Sequence, residues 1–231
     1  MQALKTCAAA IAVCAFFAIH TANAASYTAY DNAANITGLQ NYGGALGLDF
    51  QVNSAITITA LGAFNNGVTS NLNGKDGTSG INVGIFTLSG VAVGSSVHFT
   101  ASSSITQLNG DAFLPVSFTL TPGSYSIVAT NDVNYNSSGA VNTTSTTNDG
   151  GGLISFINTA RYSPSTTFIL PGTIDQGPAN RYDAGSFQFV GASGSNSTTI
   201  PEPASALLLG AGLAGMVLLR RKQASAASTG R

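Results

Sequence analysis

Few residues of this chain are suited to covalent chemistry. Of its two histidines, only His98 lies beyond the first 24 residues, and both cysteines, Cys7 and Cys14, lie within them. A chain that loses that leader has no thiol nucleophile, no thiolate metal site and no disulfide. Hydrolytic or transfer chemistry needs a nucleophile, a base and an orienting group within hydrogen-bond reach. His98 sits in SSVHFTA, a strand-like run, and reads as a strand-edge histidine. A zinc-type site built on it needs more nitrogen or sulfur ligands than the chain supplies. The sequence therefore assigns no catalytic residue, no metal ligand set and no cofactor.

Carboxylates are the other candidates. Between Ala25 and Ile200 there are eight Asp and no Glu. A glycosidase would need two of them facing each other across a cleft, about 5–10 Å apart. Most stand beside Gly or Asn, where a short side chain capping its own turn is the better account. Oxygen-rich runs at Asn73-Gly74-Lys75-Asp76-Gly77 and Asn148-Asp149-Gly150 are candidates for Ca²⁺, although neither matches a defined calcium loop and Lys75 opposes the first. Sugar binding would call on exposed aromatic rings. The chain has no Trp, so Tyr135, Tyr162 and Tyr182, all in polar surroundings, are the candidate stacking residues.

The elements that must position these residues are strands. Charged residues make up 7% of the chain, against roughly 25% in ordinary soluble proteins. Gly, Ser, Thr and Asn replace them among β-branched residues and Phe, a mixture suited to short strands and polar turns. Lys75, Arg161 and Arg181 are the only cations between residues 25 and 200. Three cations against eight carboxylates leave that stretch near −5, which excludes a basic patch for nucleic acid.

Alternation with period two recurs along this stretch. Ile56, Ile58 and Phe64 are expected on one face of ITITALGAF, with Thr57 and Thr59 on the other. Ile81, Val83 and Ile85 alternate, as do Tyr125, Ile127 and Ala129, and Phe187 with Phe189. Turn signals such as Asn73-Gly74, Asn109-Gly110 and Pro122-Gly123 separate them. No helical period stands out from 25 to 195. The expected fold is mainly β, a single antiparallel β-sandwich or jelly-roll domain over 25–190. The low-complexity run from Asn134 to Gly152 is expected as a long exposed loop, and 191–199 as a polar linker.

The two ends carry addresses. Lys5 and the apolar run from Cys7 to Ile19 precede Ala22-Asn23-Ala24, so residues 1–24 read as a signal helix cleaved before Ala25. Its partners are the Sec translocon and signal peptidase. At the other end Pro201-Glu202-Pro203 comes first, then the uncharged run from Ala204 to Leu219, then Arg220-Arg221-Lys222. As a helix 204–219 would span ~24 Å, slightly short of the roughly 30 Å hydrocarbon core. The basic cluster would stay cytoplasmic, with 223–231 as a tail behind it.

This ordered end resembles the PEP-CTERM sorting signal. The resemblance implies that Pro201, Glu202 and Pro203 form the motif read by the membrane enzyme exosortase. It also implies that Arg220, Arg221 and Lys222 are the cytoplasmic stop, and that the host is a Gram-negative producer of exopolysaccharide. The ITITALGAF, VGIF and LTPGSYSIVAT segments are similar to β-sandwich domains of other such proteins and of carbohydrate-module-like domains. The expectation is an exported protein, transiently anchored at the inner membrane and then at the surface or in the matrix. Its domain would be structural or adhesive and non-enzymatic, with an exopolysaccharide-binding module as the alternative and an Asp-dependent glycosidase a distant third.

Overall fold

The computed structural model describes residues 25–33, 42–132, 145–175 and 184–192. Within them the strands are β1 (Tyr27–Thr28), β2 (Tyr30–Asp31), β3 (Ala45–Val52), β4 (Ile56–Phe64) and β5 (Ile81–Thr87). They continue with β6 (Ala92–Phe99), β7 (Thr106–Leu108), β8 (Asp111–Leu120), β9 (Gly123–Thr130) and β10 (Thr146–Thr147). The last three are β11 (Ile154–Ser163), β12 (Thr173–Asp175) and β13 (Ser186–Gly191). A 3₁₀ turn at Thr69–Asn73 is the one helical element among the described residues. The expected signal helix and the 204–219 helix lie outside the described residues.

All strand pairs are antiparallel. One sheet has the order β1-β13-β4-β8-β7, the other β12-β11-β3-β9-β5-β6, and β2 with β10 forms a small third ribbon. The alternating apolar residues of the two large sheets meet in one core. Leu46, Leu48, Phe50, Ile81, Val83, Ile85, Tyr125, Ile127 and Ala129 come from one sheet, and Ile56, Ile58, Leu61, Ala112, Phe187 and Phe189 from the other. The Phe50 and Phe187 rings bridge the layers at 4.7 Å between centroids. Each such fully buried side chain contributes about 1.5–3 kcal/mol of apolar transfer. The expected mainly β fold is thus present as two antiparallel sheets face to face.

Bulges reset the alternation, and one corrects the sequence reading. β4 advances from Ile58 to Ala60 while β13 advances one residue, Phe189 to Gln188, and β8 three, Phe118 to Pro115. The extra residue switches the inward phase from Ile56 and Ile58 to Leu61 and Ala63. Phe64 therefore does not share a face with Ile56 and Ile58; it is buried elsewhere, with its ring over Gly110. Pro115 is tolerated inside β8 because β7 pairs only with Asp111, Ala112 and Phe113 and leaves the edge beyond them open.

The 134–152 run is not all loop. Thr146 and Thr147 pair with Asp31 and Tyr30, and Ser145 is buried; residues 133–144 lie outside the described residues. On the far side of the six-stranded sheet, the β11–β12 connection folds back as a strap. It lays Phe168 and Leu170 onto a second apolar cluster of Ala45, Phe86 and Val128.

Candidate functional site

The carboxylates resolve into distinct environments. Asp76 Oδ1 accepts the backbone N–H groups of Thr78 and Ser79 at 2.9 and 2.8 Å. The hydrogen bonds to Ser79 and Thr78 hold its carboxyl well below the usual range. Asn148 and Asp149 cap Gly150 and Gly151 in the same way, at 3.0 and 2.9 Å. Both runs proposed for Ca²⁺ thus spend carboxylate or amide oxygens on their own turns, which is the Asx-turn account. Among the described residues no three His, Cys, Asp or Glu side chains come together as a metal cluster.

Asp111 is different. It opens β8, is 1% exposed, and has no ion pair among the described residues; its oxygens accept the Asn32 backbone N–H at 3.1 Å and the Asn32 amide at 2.9 and 3.2 Å. Ser145 donates to Asn32 Oδ1, so one buried chain of bonds ties the segment after β2, the start of β8 and the approach to β10. Burial pushes the Asp111 carboxyl up to about 7, against the lowering effect of Asn32, and the nearby Asp31 charge adds to the rise. Asp31 is gripped by the Asn109 amide at 2.8 and 2.9 Å. Asp31 and Asp111 lie near enough for their charges to interact, and each is engaged by an asparagine.

Asp49 was not singled out in the sequence. It lies in β3, on the face away from the main core, 3% exposed. The Nε–H of Arg161 in β11 is shared between its two oxygens at 2.8 and 2.9 Å. Its Cα partner across the ladder is Ser126 in β9, whose Oγ is fully buried with no hydrogen-bond partner among the described residues. The signal for this cluster was readable: one acid inside the apolar run ALGLDFQV has to find a partner when buried.

Of the three candidate stacking tyrosines, Tyr162 is among the described residues. Tyr162 lies in β11, half-buried, packed on the main core and edge-on to Tyr42 at 6.3 Å between ring centroids. Burial, with a contribution from Tyr162, raises the Tyr42 phenol above its ordinary value. Tyr135 and Tyr182 lie outside the described residues. His98 stands on the edge strand β6, exposed, with Nδ1 3.0 Å from Asn82 Oδ1, in the strand-edge position expected of it. Ala25 is exposed two residues before β1. Ala22, Ala24, Pro201, Glu202, Pro203, Arg220, Arg221 and Lys222 lie outside the described residues.

Residues 199–222 match the PEP-CTERM protein-sorting motif. No curated protein and no solved structure matches the chain. The C-terminal segment therefore carries the PEP-CTERM sorting motif, which supports sorting of an exported protein through exosortase.

Proposed function

We propose that the protein is a surface or matrix component of a Gram-negative, exopolysaccharide-producing bacterium, delivered by a two-ended address. It crosses the inner membrane through the Sec translocon, and signal peptidase cuts before Ala25. The 204–219 helix holds it until exosortase acts near Pro201-Glu202-Pro203. The β-sandwich then serves outside the cell as a structural or adhesive, non-enzymatic domain. The observation that carries this reading is the sorting motif at 199–222, set behind a sandwich whose last strand ends at Gly191. The non-enzymatic part draws support from the carboxylates, of which Asp31, Asp76, Asp111 and Asp149 are engaged by amides or by their own turns.

Fractionation of the native host with and without its exosortase tests the route. A trimmed protein outside wild-type cells, replaced by a larger membrane-held form in the mutant, is the expected result. Full-length protein in the inner membrane of both strains would overturn it. A Glu202→Ala variant is expected to behave in wild-type cells as the native protein does in the mutant.

A further inference from the structure

The outer face of the six-stranded sheet, beneath the 164–171 strap, carries features of a binding site. The ladder register sets four strands, β11, β3, β9 and β5, side by side there. Asp49 stands opposite Ser126, and Ser126 opposite Phe86; in the next row Arg161 faces Gly47, Gly47 faces Val128, and Val128 faces Gly84. Gly47 and Gly84 stand on either side of Val128 in that row and leave bare backbone at those two positions, with Ser126 Oγ beside Gly47. At Gly84 a Cβ would come within 2.8 Å of the Phe168 ring, so the strap's ring lies almost on the backbone. Phe86 meets the same ring edge-on, 5.2 Å between centroids at 71°. Phe168 thus fills an apolar slot between the Phe86 ring and the Gly84 backbone.

Beside that slot stand polar groups with unused capacity. A carboxylate offers about four acceptor sites, yet Asp49 takes only the Nε–H of Arg161 among the described residues. The remaining guanidinium donors of Arg161 form no hydrogen bond among the described residues. Ser126 Oγ, fully buried, has no partner at all among them. Burying an unsatisfied hydroxyl costs on the order of 1–3 kcal/mol, so folding alone gives no reason for a serine here. The group it would suit brings its own hydroxyls.

We propose that this face is a saccharide-binding site that the strap occupies in the ligand-free protein. A sugar ring displaces Phe168 and lies with its apolar face on Phe86 and the Gly84 backbone. Its hydroxyls donate to Asp49, accept from Arg161, and bond with Ser126. The mutual charge of Asp49 and Arg161 cancels, which favours a neutral hydroxyl-rich ligand over an anion. The strap is suited to open. Ile169 at its crest is 52% exposed, and it leads into β12, a three-residue strand paired, among the described residues, only with β11. This inference is independent of how the protein is exported, so its failure would leave the sorting reading intact.

Saturation-transfer NMR on the full-length protein in a sugar-free detergent tests it, with methyl glycosides of glucose, galactose and mannose as probes. Phe168→Ala is expected to raise ring-proton transfer for at least one glycoside about threefold over wild type. Adding Ser126→Ala, which removes a hydroxyl the fold itself does not use, is expected to cut it back severalfold. No transfer to any of the three glycosides in Phe168→Ala overturns the proposal. So does equal transfer in wild type, single and double variants, which would place binding elsewhere. Should Phe168→Ala fail to fold, hydrogen exchange of the native protein decides. Exchange in 164–171 must quicken, and exchange at 126–128 slow, when at least one of the three glycosides is added at saturating concentration; unchanged exchange with all three overturns it.

Discussion

Asp111 gives the protein a stability that falls as pH rises. In the folded state its carboxyl is pushed up to about 7 from an ordinary 3.8, chiefly by burial. The folded protein therefore holds a proton between roughly pH 4 and 7 that the unfolded chain has released, and stability drops across that window. Stability from this group is fully present below pH 4 and lost once pH passes 7. A rise of that size corresponds to about 4 kcal/mol, at 1.36 kcal/mol per pH unit. For a domain of this length that is a melting-temperature difference on the order of 8–16 °C. Asp76 acts oppositely, but its depressed carboxyl matters only below the ordinary value of 3.8, outside this window.

Asn at 111 separates charge from shape. It keeps the size of the side chain and cannot ionise, but it puts an NH₂ where the protonated acid at pH 5 has an O–H oxygen that still accepts from Asn32, so one of the Asn32 bonds is lost. The expected cost is about 1–3 kcal/mol at pH 5. By pH 8 the native protein carries its ionisation penalty and Asp111→Asn does not, so the two stabilities converge or cross. Urea denaturation of both proteins at half-unit steps from pH 4.5 to 8.5 measures this directly. Parallel curves, or a carboxyl carbon at residue 111 titrating near pH 4 by NMR, would refute the reasoning.

Three further outcomes follow from packing and pairing. Asp49→Leu alone should destabilise by about 3–5 kcal/mol, because it strands the Arg161 charge, while Asp49→Leu with Arg161→Met should recover most of that loss in the same denaturation assay. Gly94→Ala should lower the melting temperature by several degrees: its φ of 67° disfavours any side chain, and a Cβ would sit 2.3 Å from the Phe118 ring. Phe187→Ala, at the aromatic junction with Phe50, Tyr30 and Phe189, should cost about 3–5 kcal/mol by denaturant midpoint.

Where alternation ran uninterrupted, the sequence was legible. Ile81-Val83-Ile85, Tyr125-Ile127-Ala129 and Phe187-Phe189 all face the core as their spacing requires. Alternation failed at the bulges, which local composition does not announce. Thr59 looks like one more outward threonine, yet around it the phase of β4 inverts and Phe64 leaves the core face. The polar clusters were hidden for a different reason. Asp111 follows Asn109-Gly110 and reads as a turn residue, but its partner Asn32 is 79 residues away. Arg161 is 112 residues from Asp49. No spacing rule reaches that far, so only the oddity of an acid in an apolar strand was available. The sorting motif was legible because its parts are contiguous and need no fold to be recognised.

That contrast bears on the order of export and folding. β13 lies between β1 and β4, so the five-stranded sheet is incomplete until the chain through Gly191 has been delivered. Among the described residues β1 has no other partner strand, and it pairs with residues more than 150 positions later, Tyr27 with Phe189 and Thr28 with Gln188. Pairing so distant carries the largest loop-closure cost and forms late. Pro201 follows Gly191 by ten residues, a span of at most about 36 Å when fully extended. An exosortase reading that motif meets a chain whose last strand has only just become available to the sheet. On the proposed route, completion of the sandwich and exposure of the motif would be nearly simultaneous, and a helix at 204–219 would hold the protein while β13 and β1 close. Deleting residues 193–199 should consequently slow processing in the host, even though the 199–222 match is almost untouched. Unchanged processing kinetics in a pulse-chase would mean that the enzyme does not need the folded domain held clear of the membrane.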